Sequence, residues 1–256
     1  MQNRGLLSVI DRQKKIPGFD QSIYSSSRFL SGGAGGLISE LAEGVARKGA
    51  RSIYLCDPDV VDITNLNRQR FFEEDIDENK AISLAKNLVK ECTCGTELVG
   101  YPYSIQKMIE DEIVPDFDVG MAGFDNEPSR YDFSELLLEK KKPGIFMGVN
   151  ETADAGYLFV QEIGGPCYSC AFPPHKGSKR MECPGVAAVK DILKLLGGIG
   201  LYALDTLLMN RERYWNLWVV SLSGRRPDAK MTIRKRSNCG LCSSKRRENG
   251  DKQFAS

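Results

Sequence analysis

The fold is decided by RFLSGGAGG at residues 28–36, an apolar run that leads into four glycines. Helix-forming residues follow at 37–48, and the apolar run RSIYLC at 51–56 ends on Asp57. This order predicts a strand, a glycine turn, a helix and a second strand, which complete a βαβ unit. Such a turn lets the backbone approach a phosphate at the helix N-terminus, and Asp57 is placed to accept hydrogen bonds from a ribose.

Beyond Asp57, helices and strands continue to alternate. Helical spacing recurs at 79–90 and 129–140, and short strands are predicted at 97–101, 117–121 and 144–148. Further along are an extended run at 157–162, a long helix at 186–209 and two strands at 215–222 and 230–234. The pattern predicts an α/β fold with a doubly wound, mostly parallel Rossmann-like sheet and an antiparallel extension.

The glycine turn departs from the dinucleotide-binding fingerprint. Ile38 stands where a small residue would let helix and strand pack closely, and Ser31 and Gly32 weaken the first strand. A mononucleotide is therefore a better expectation than a dinucleotide. On the turn alone, the glycines could instead serve tight packing, with Asp57 acting as a cap.

The composition is that of an ordinary globular protein and excludes several functions. Lys and Arg number 35 against 34 Asp and Glu, so no large basic field is available for nucleic acid. The apolar tract at 186–209 contains four charged residues, which favours an amphipathic helix over a membrane span. The N-terminal residues are too polar for a signal peptide. We expect one main domain in the cytoplasm, with neither nucleic acid nor a membrane as partner.

Two CxxC pairs predict a metal site. Cys167 and Cys170, like Cys239 and Cys242, have the spacing with which a knuckle turn gives two thiolates to tetrahedral zinc. Four thiolates leave no open coordination position, so we expect a structural Zn²⁺ site that supports folding. Disulfides between the same residues are the alternative, which an expected cytoplasmic location disfavours.

The segment DPDVVDITNLNRQ at 57–69 distinguishes between two kinds of nucleotide chemistry. Together with Lys80, Arg68 places two cations near the glycine turn. Hydride transfer gives these cations no task, whereas attack of a carboxylate on an α-phosphate develops charge that they can neutralise. The segment therefore favours nucleotidyl transfer.

Several separated motifs together resemble one family. They are GAGGL at 33–37, DPDVVDITNLNRQ at 57–69, Lys80, Asp125-Asn126 followed by Arg130, and the two CxxC pairs. In this order they resemble the ubiquitin-activating enzymes and their bacterial relatives, the ThiF/MoeB/HesA adenylyltransferases, over residues 12–242. The resemblance implies an enzyme that uses ATP to adenylylate the C-terminal glycine of a small ubiquitin-like or sulfur-carrier protein.

The resemblance also implies roles for individual residues near the nucleotide. Asp57 would bind the ribose. The nucleotide turn would be formed by Gly33, Gly35 and Gly36. The phosphates would be lined by Asn65, Arg68 and Gln69.

Two further residues would take part in the reaction itself. Lys80 would neutralise charge as pyrophosphate leaves, and Asp125 would hold Mg²⁺ near the α-phosphate. The alternative for Asp125 is a helix N-cap ahead of Pro128. For Lys80 and Arg130, the alternative is a place on a solvated face.

Arg12, which precedes Gly18-Phe19-Asp20, matches the N-terminal arm of the family. That arm reaches into the ATP site of a partner subunit, so the resemblance implies a homodimer with Arg12 acting in trans. A surface charge on a mobile arm is the alternative. We expect a dimerisation arm at 1–27, an adenylation domain at 28–242 with a crossover loop at about 164–184, and a flexible tail at 243–256.

Cys183 is a candidate nucleophile. Neighbouring basic residues and the following helix N-terminus favour its thiolate. It resembles the family cysteine that forms a thioester or persulfide with the activated carrier, but it lies closer to the next Gly-Val pair than in biosynthetic members. A nucleophile and a spare structural thiol both stay open. In the second case a downstream conjugating or sulfur-transfer protein would supply the thiol.

Two other functions stay open. The chain could be a catalytically inactive, nucleotide-binding scaffold subunit, as in heterodimeric relatives. It could also be a NAD-binding oxidoreductase, which the glycine turn and Asp57 would permit but which leaves Arg68 and Lys80 without a task.

Overall fold

A computed structural model describes residues 9–92, 94–174, 189–225 and 227–243. Its eight strands are β1 (Arg28–Gly32), β2 (Ser52–Cys56), β3 (Glu97–Tyr101), β4 (Val119–Ala122), β5 (Gly144–Val149), β6 (Ala155–Gln161), β7 (Leu217–Ser221) and β8 (Ala229–Met231). Within the described residues they form a single sheet in the order β3-β2-β1-β4-β5-β6-β7-β8.

The pairing divides this sheet into two parts. Strands β3, β2, β1, β4 and β5 are all parallel, whereas β6, β7 and β8 are added in antiparallel fashion. The predicted sheet, mostly parallel with an antiparallel extension, is therefore confirmed. The chain leaves β1 on one side toward β2 and β3 and returns on the other side to β4. This reversal opens a crevice at the carboxyl ends of β1 and β4, where sheets of this kind bind ligands.

Helices cover both faces of the sheet. They are α1 (Gln21–Ser26), α2 (Gly36–Arg47), α3 (Lys80–Leu88), α4 (Ile105–Glu110), α5 (Glu127–Glu139), α6 (Tyr168–Ala171) and α7 (Lys190–Leu208). One buried apolar cluster joins α2, α3 and α7 to the sheet, and a second joins α4, α5 and α6 to it. The sheet that carries the crevice is thus packed on each face by its own group of helices.

Two asparagine caps fix where functional residues begin. Asn79 accepts two backbone N–H groups of the first turn of α3, so Lys80 is the first helical residue. Asn126 caps α5, with Pro128 in its first turn, so Asp125 lies just outside that helix. Local sequence therefore places both side chains at the same edge of the sheet.

Helix α7 packs directly along α2. A Cβ added at Gly36 would lie 2.5 Å from Cδ1 of Leu193, and one at Gly44 would lie 2.3 Å from Cδ1 of Leu201. Only glycine permits this approach, and it brings the first turn of α7 beside the glycine turn. None of the described helices combines the length and the hydropathy needed to cross a membrane.

Some elements differ from the sequence-based expectation. Strand β1 extends through Ser31 and Gly32, which we expected to weaken it, because β2 and β4 bond to it on both sides. The short helices α1, α4 and α6 were not predicted, and α6 lies within the segment at about 164–184 that we expected to be a loop. Helix α7 begins at Lys190, and residues 186–188, where we expected it to begin, lie outside the described residues.

Candidate active site

The loops that follow β1, β2 and β4 are bonded to one another at the crevice. The N–H of Gly33 donates to the carbonyl of Cys56 at 2.8 Å, and the N–H of Gly123 donates to the carbonyl of Gly32 at 2.9 Å. Gly33 has a φ of +92°, a backbone conformation that favours glycine. The turn is therefore held in one geometry by its neighbours on both sides.

The two later glycines have different tasks. Gly35 is the N-cap of α2 and offers no side chain to its first turn. A Cβ added there would meet no described atom within 4 Å, so the space in front of the free N–H groups is open to an anion. Gly36, by contrast, is packed against α7. Gly33 and Gly35 thus suit the approach of a phosphate, and Gly36 sets the position of the helix.

The structure accommodates Ile38, the residue that departs from the fingerprint. Its side chain is fully buried, and a Cβ added at Gly123 would lie 2.7 Å from its Cγ1. Because Gly123 has no side chain, there is room for Ile38 at this contact. A small residue on α2 would otherwise be needed to provide that room. In the same way, a Cβ added at Gly32 would lie 1.9 Å from Cζ of Phe124, so Gly32 makes room for that ring.

Asp57 follows β2 and is only 8% exposed. Its Oδ2 accepts the N–H of Ala34 at 2.7 Å, and its Oδ1 accepts the N–H of Asp59 at 2.9 Å. Burial raises the pKa of Asp57 above its ordinary value, while the two N–H donors favour the ionised form. The carboxylate is thus fixed beside the glycine turn with further acceptor capacity for hydroxyl groups.

Lys80 is held beside the same loop. Its Nζ lies 2.9 Å from Oδ2 of Asp59, and its side chain is 15% exposed, so it does not occupy a solvated face. The side-chain amide of Asn79 donates to the carbonyls of Asp57 and Asp59 at 2.9 and 3.0 Å. The start of α3 and the loop after β2 therefore form one unit that brings a cation toward Asp57.

The segment that carries the predicted phosphate-lining residues packs against α2. The N–H of Arg70 lies 3.4 Å from Oγ of Ser39 in that helix. Asn65 and Gln69 are buried, and Oε1 of Gln69 has no hydrogen-bond partner among the described residues. The guanidinium of Arg68 donates within its own turn, to the carbonyl of Thr64 at 2.6 Å and the side chain of Asn67 at 2.9 Å. Of the three, Gln69 offers a buried acceptor that a ligand could satisfy.

Asp125 lies at the carboxyl end of β4 and is exposed. Its Oδ1 accepts a hydrogen bond from the amide of Asn126 at 3.1 Å, and Asn126, not Asp125, caps α5. A Cβ at Gly33 would lie 3.2 Å from the carbonyl of Gly123, so the Asp125 loop adjoins the glycine turn. An exposed carboxylate at this position fits Mg²⁺, which prefers oxygen ligands.

Arg130 stabilises the Asp125 loop through a contact with its backbone. One of its terminal nitrogens donates to the carbonyl of Phe124 at 2.6 Å, and the other contacts the carboxylate of Glu127 at 2.5 Å. The side chain is only 13% exposed. The alternative of a solvated face is therefore wrong for Arg130.

Arg12 is not brought to the site of its own chain. It is exposed, and the next residue, Gln13, donates to the carbonyl of Lys48 at the C-terminal end of α2. The glycine turn lies at the other end of α2, roughly 18 Å away for a helix of 12 residues. Arg12 therefore lies too far to contact a nucleotide bound at this turn.

The four cysteines of the CxxC pairs converge as predicted. Their Sγ atoms are separated by 3.9 Å between Cys167 and Cys170, 3.6 Å between Cys167 and Cys239, and 3.5 Å between Cys170 and Cys242. Tetrahedral zinc with Zn–S bonds of about 2.3 Å requires S–S separations of roughly 3.8 Å. All four are buried free thiols, so the disulfide alternative is wrong and the cluster fits a metal ion.

The thiol electrostatics are consistent with a cation. Burial raises the pKa of Cys167, and it raises the pKa of Cys242 to about 11. Burial also opposes ionisation of Cys239, but the N–H groups of Leu241 and Cys242 outweigh it and lower that pKa to about 6. A bound metal would favour the thiolate form of all four cysteines.

Comparison with known proteins identifies the family. The model of the ThiF family matches residues 10–241, which is most of the chain. The chain belongs to the ThiF family.

Named relatives match most of the chain. It is 27% identical over 221 residues to adenylyltransferase and sulfurtransferase MOCS3-1 of Zea mays, covering 81% of this chain and 47% of that protein. It is 30% identical over 211 residues to MOCS3 of Mus musculus, covering 77% and 45%. The chain therefore spans about half the length of these relatives.

Solved structures share the fold. A crystal structure of E. coli MccB with MccA-N7isoASN superposes with a TM-score of 0.75 at 17% identity, covering 88% of this chain and 69% of that one. A structure of PaaA superposes with a TM-score of 0.71 at 15% identity, covering 92% and 79%. The described architecture is thus shared with MccB and PaaA.

Several contributors to this ThiF-type site were not found from sequence. Gly123 and Phe124 matter through contacts with Ile38 and Gly32, which are more than 80 residues away in the chain, and local pattern carries no such signal. Asn79 had a signal, since an asparagine before a helical run is a typical N-cap. Cys183 lies outside the described residues, as do 175–184 of the predicted crossover loop and 244–256 of the predicted tail.

Proposed function

We propose that this chain uses Mg-ATP to adenylylate the C-terminal glycine carboxylate of a small ubiquitin-like or sulfur-carrier protein. One observation carries the proposal. The glycine turn, Asp57, Lys80 and Asp125 meet at the carboxyl ends of β1, β2 and β4, where a nucleotide binds in sheets of this kind. Polyphosphate binding gives the cations and the exposed carboxylate a task that hydride transfer would not.

Each residue has a role in this reaction. Asp57 accepts hydrogen bonds from the ribose hydroxyls, and the N–H groups behind Gly33 and Gly35 bind phosphate oxygens. Gln69 and Asn65 line the phosphates. Mg²⁺, when bound at Asp125, supplies positive charge to the α-phosphate.

The cations act on the leaving group. A carboxylate oxygen of the carrier attacks the α-phosphorus of ATP, and the bond from that phosphorus to the bridging oxygen breaks. Pyrophosphate leaves with the electron pair, and Lys80 and Arg68 neutralise the charge that develops on it. Arg68 must exchange its hydrogen bonds to its own turn for contacts with the ligand. The products are an acyl-adenylate and pyrophosphate.

A thiol then takes the acyl group. In the proposed second step a thiolate, of Cys183 or of a downstream conjugating or sulfur-transfer protein, attacks the acyl carbonyl carbon. A thioester forms, and AMP leaves with the electron pair of the broken bond.

The position of Arg12 supports a homodimer. Because Arg12 lies near the far end of α2 from the glycine turn, its position favours a role at the site of another copy over a role at its own. We infer that the arm at 1–27 of one copy delivers Arg12 to the nucleotide of a second copy. The adenylation domain at 28–242 then provides the rest of the site.

The relatives support the choice of substrate. The MOCS3 proteins are named adenylyltransferases and sulfurtransferases, and several of the MccB structures contain MccA or ATP. A small protein or peptide that presents its C-terminus is the substrate class consistent with both.

The test is carrier-dependent exchange of labelled pyrophosphate into ATP. We expect exchange by the wild-type chain with a carrier that ends in glycine, and a loss of at least about 100-fold in Asp125→Ala. Asp116→Ala is the matched control, since Asp116 is an exposed aspartate before β4, at the opposite edge of the sheet. Exchange that survives Asp125→Ala would contradict the site, and a wild-type chain that binds NAD and not ATP would contradict the function.

A separate measurement tests the second step. After incubation with Mg-ATP and carrier, intact mass spectrometry should detect an adduct that reductant removes. Loss of this adduct in Cys183→Ala assigns the nucleophile to Cys183. Its retention assigns the thiol role to another residue or partner.

A further inference from the structure

A chain of polar contacts joins the cysteine cluster to the Asp125 loop. Tyr168 lies between Cys167 and Cys170 and is fully buried. Its hydroxyl lies 3.1 and 3.2 Å from the two carboxylate oxygens of Glu127. Glu127 contacts Arg130, whose guanidinium donates to the carbonyl of Phe124, the residue immediately before Asp125.

This chain of contacts spans the length of α5. Leu138, near the C-terminal end of α5, packs against the cysteine cluster, whereas Glu127 is the first residue of the helix. These two positions are 11 residues apart in the sequence, which corresponds to roughly 16 Å along the helix. The cluster and the nucleotide crevice therefore lie at opposite edges of the sheet. The Tyr168 side chain extends from the cysteine cluster toward the nucleotide crevice.

The backbone and the ring of Tyr168 are both fixed. Its N–H donates to Oε1 of Gln161 at 3.0 Å, and its ring centroid lies 4.9 Å from that of Phe146 and 4.8 Å from that of Phe172. Its hydroxyl also lies 2.9 Å from the hydroxyl of Tyr157. With so many contacts, the hydroxyl cannot move away from Glu127 unless the cysteine knuckle moves too.

Arg130 depends on this support. Its guanidinium is largely buried, and Glu127 is the carboxylate with which it forms an ion pair. Glu127 is half exposed, so the ion pair alone would be weak. A buried hydroxyl that donates to the same carboxylate restricts Glu127 to one rotamer and makes the pair directional.

We propose that Tyr168 and Glu127 are positioning residues that hold the Asp125 loop through Arg130, so that the cysteine knuckle sets the geometry of the magnesium end of the site. The expected effect on magnesium binding rests on the proposed adenylylation function. The contacts between Tyr168, Glu127 and Arg130 do not depend on that function.

The first test measures the loop directly, without a ligand. We expect Tyr168→Phe, which removes only the hydroxyl, to increase amide hydrogen exchange in residues 123–127 by about threefold to tenfold. Tyr131→Phe is the matched control, because the Tyr131 ring packs against Tyr168 but its hydroxyl donates to the carbonyl of Phe172 and not to Glu127. Equal exchange in both variants and the wild type would overturn the proposal.

The second test measures magnesium dependence. The probe is α,β-methylene-ATP, titrated at a series of Mg²⁺ concentrations. We expect the Mg²⁺ concentration for half-maximal binding to rise about threefold to tenfold in Tyr168→Phe and in Glu127→Gln. Zinc content should be unchanged in both variants, and the titration of Tyr131→Phe should match that of the wild type.

The two tests separate the possible failures. If wild-type protein binds no nucleotide, the proposed function is wrong. The amide hydrogen exchange, which needs no ligand, then still tests whether Tyr168 holds the Asp125 loop. If wild-type protein binds Mg²⁺ and nucleotide but both variants titrate as it does, the positioning role is wrong and the function stands. A general loss of folding would lower the melting temperature and accelerate exchange throughout the chain, not only at residues 123–127.

Discussion

Replacing Gly123 with alanine tests the packing that lets Ile38 follow the glycine turn. The new Cβ would lie 2.7 Å from Cγ1 and 3.1 Å from Cδ1 of Ile38, whereas nonbonded carbon atoms prefer about 3.5 to 4.0 Å. Ile38 is fully buried, so its side chain cannot turn into solvent. Overpacking of this kind costs about 1 to 3 kcal/mol, and we expect Gly123→Ala to lower the free energy of unfolding by that amount.

The contact is isolated by a second substitution. Ile38→Ala removes both atoms that the new methyl group would strike, at a cost of about 2 to 5 kcal/mol for the lost burial and the cavity. In the double variant, the methyl group introduced by Gly123→Ala enters the space that the Ile38 side chain has vacated. We therefore expect the double variant to be no less stable than Ile38→Ala alone, with a coupling free energy of about 1 to 3 kcal/mol.

Urea unfolding of the wild type, the two single variants and the double variant measures this cycle. Gly198→Ala is the control, because a Cβ added at Gly198 in α7 meets no described atom within 4 Å. Alanine should stabilise that helix by about 0.5 to 1 kcal/mol, the opposite sign to Gly123→Ala. If the losses of the two single variants simply add in the double variant, Gly123 and Ile38 do not share space and the reasoning is refuted.

Two further predictions concern the metal site and an ion pair. We expect zinc to be present in the purified protein, absent from Cys239→Ala and retained in Cys94→Ala, by elemental analysis; zinc in the first variant would contradict the site. Zinc at 100 times its Kd contributes roughly 2.7 kcal/mol to the free energy of unfolding. Chelation should therefore lower the melting temperature by about 5 to 10 °C. Burial alone would raise the pKa of Asp118, but hydrogen bonds from Arg28 outweigh it and hold that pKa below its ordinary value of 3.8. The ionised form is thus favoured by folding, and its contribution is present above about pH 4 and lost as the pH falls through the lowered pKa. Asp118→Asn should be less stable than the wild type by about 1 kcal/mol at pH 7, and urea midpoints should converge toward pH 2; a constant gap would contradict this.

The sequence predicted those parts of the site that follow from local order. A strand, a glycine turn and a helix define the position of Gly33 without knowledge of any distant contact. Asn79 before a helical run places Lys80 at a helix start, and a strand before Asp125 places that carboxylate at the carboxyl edge. These features depend on backbone hydrogen bonds within a few residues, which composition and spacing describe well.

The remaining parts depend on contacts between segments far apart in the chain. Nothing near Ile38 indicates that Gly123 will make room for it, and nothing near Asp125 indicates that Tyr168 will support Arg130. Side-chain packing between layers is determined by how α5, α6 and the sheet fit together. A pattern along one strand or helix does not contain that information.

The convergence of the two CxxC pairs follows from the antiparallel extension. Strand β7 pairs antiparallel with β6 on one side and with β8 on the other, so β6 and β8 run in the same direction. Both strands therefore end at the same edge of the sheet, and each is followed within eight residues by the first cysteine of one CxxC pair. Since β6 is antiparallel to β5, this edge is the one opposite the nucleotide crevice. A metal site so placed can act on adenylylation through side chains that extend along the sheet face, and Tyr168, whose hydroxyl reaches Glu127, is placed to make that connection.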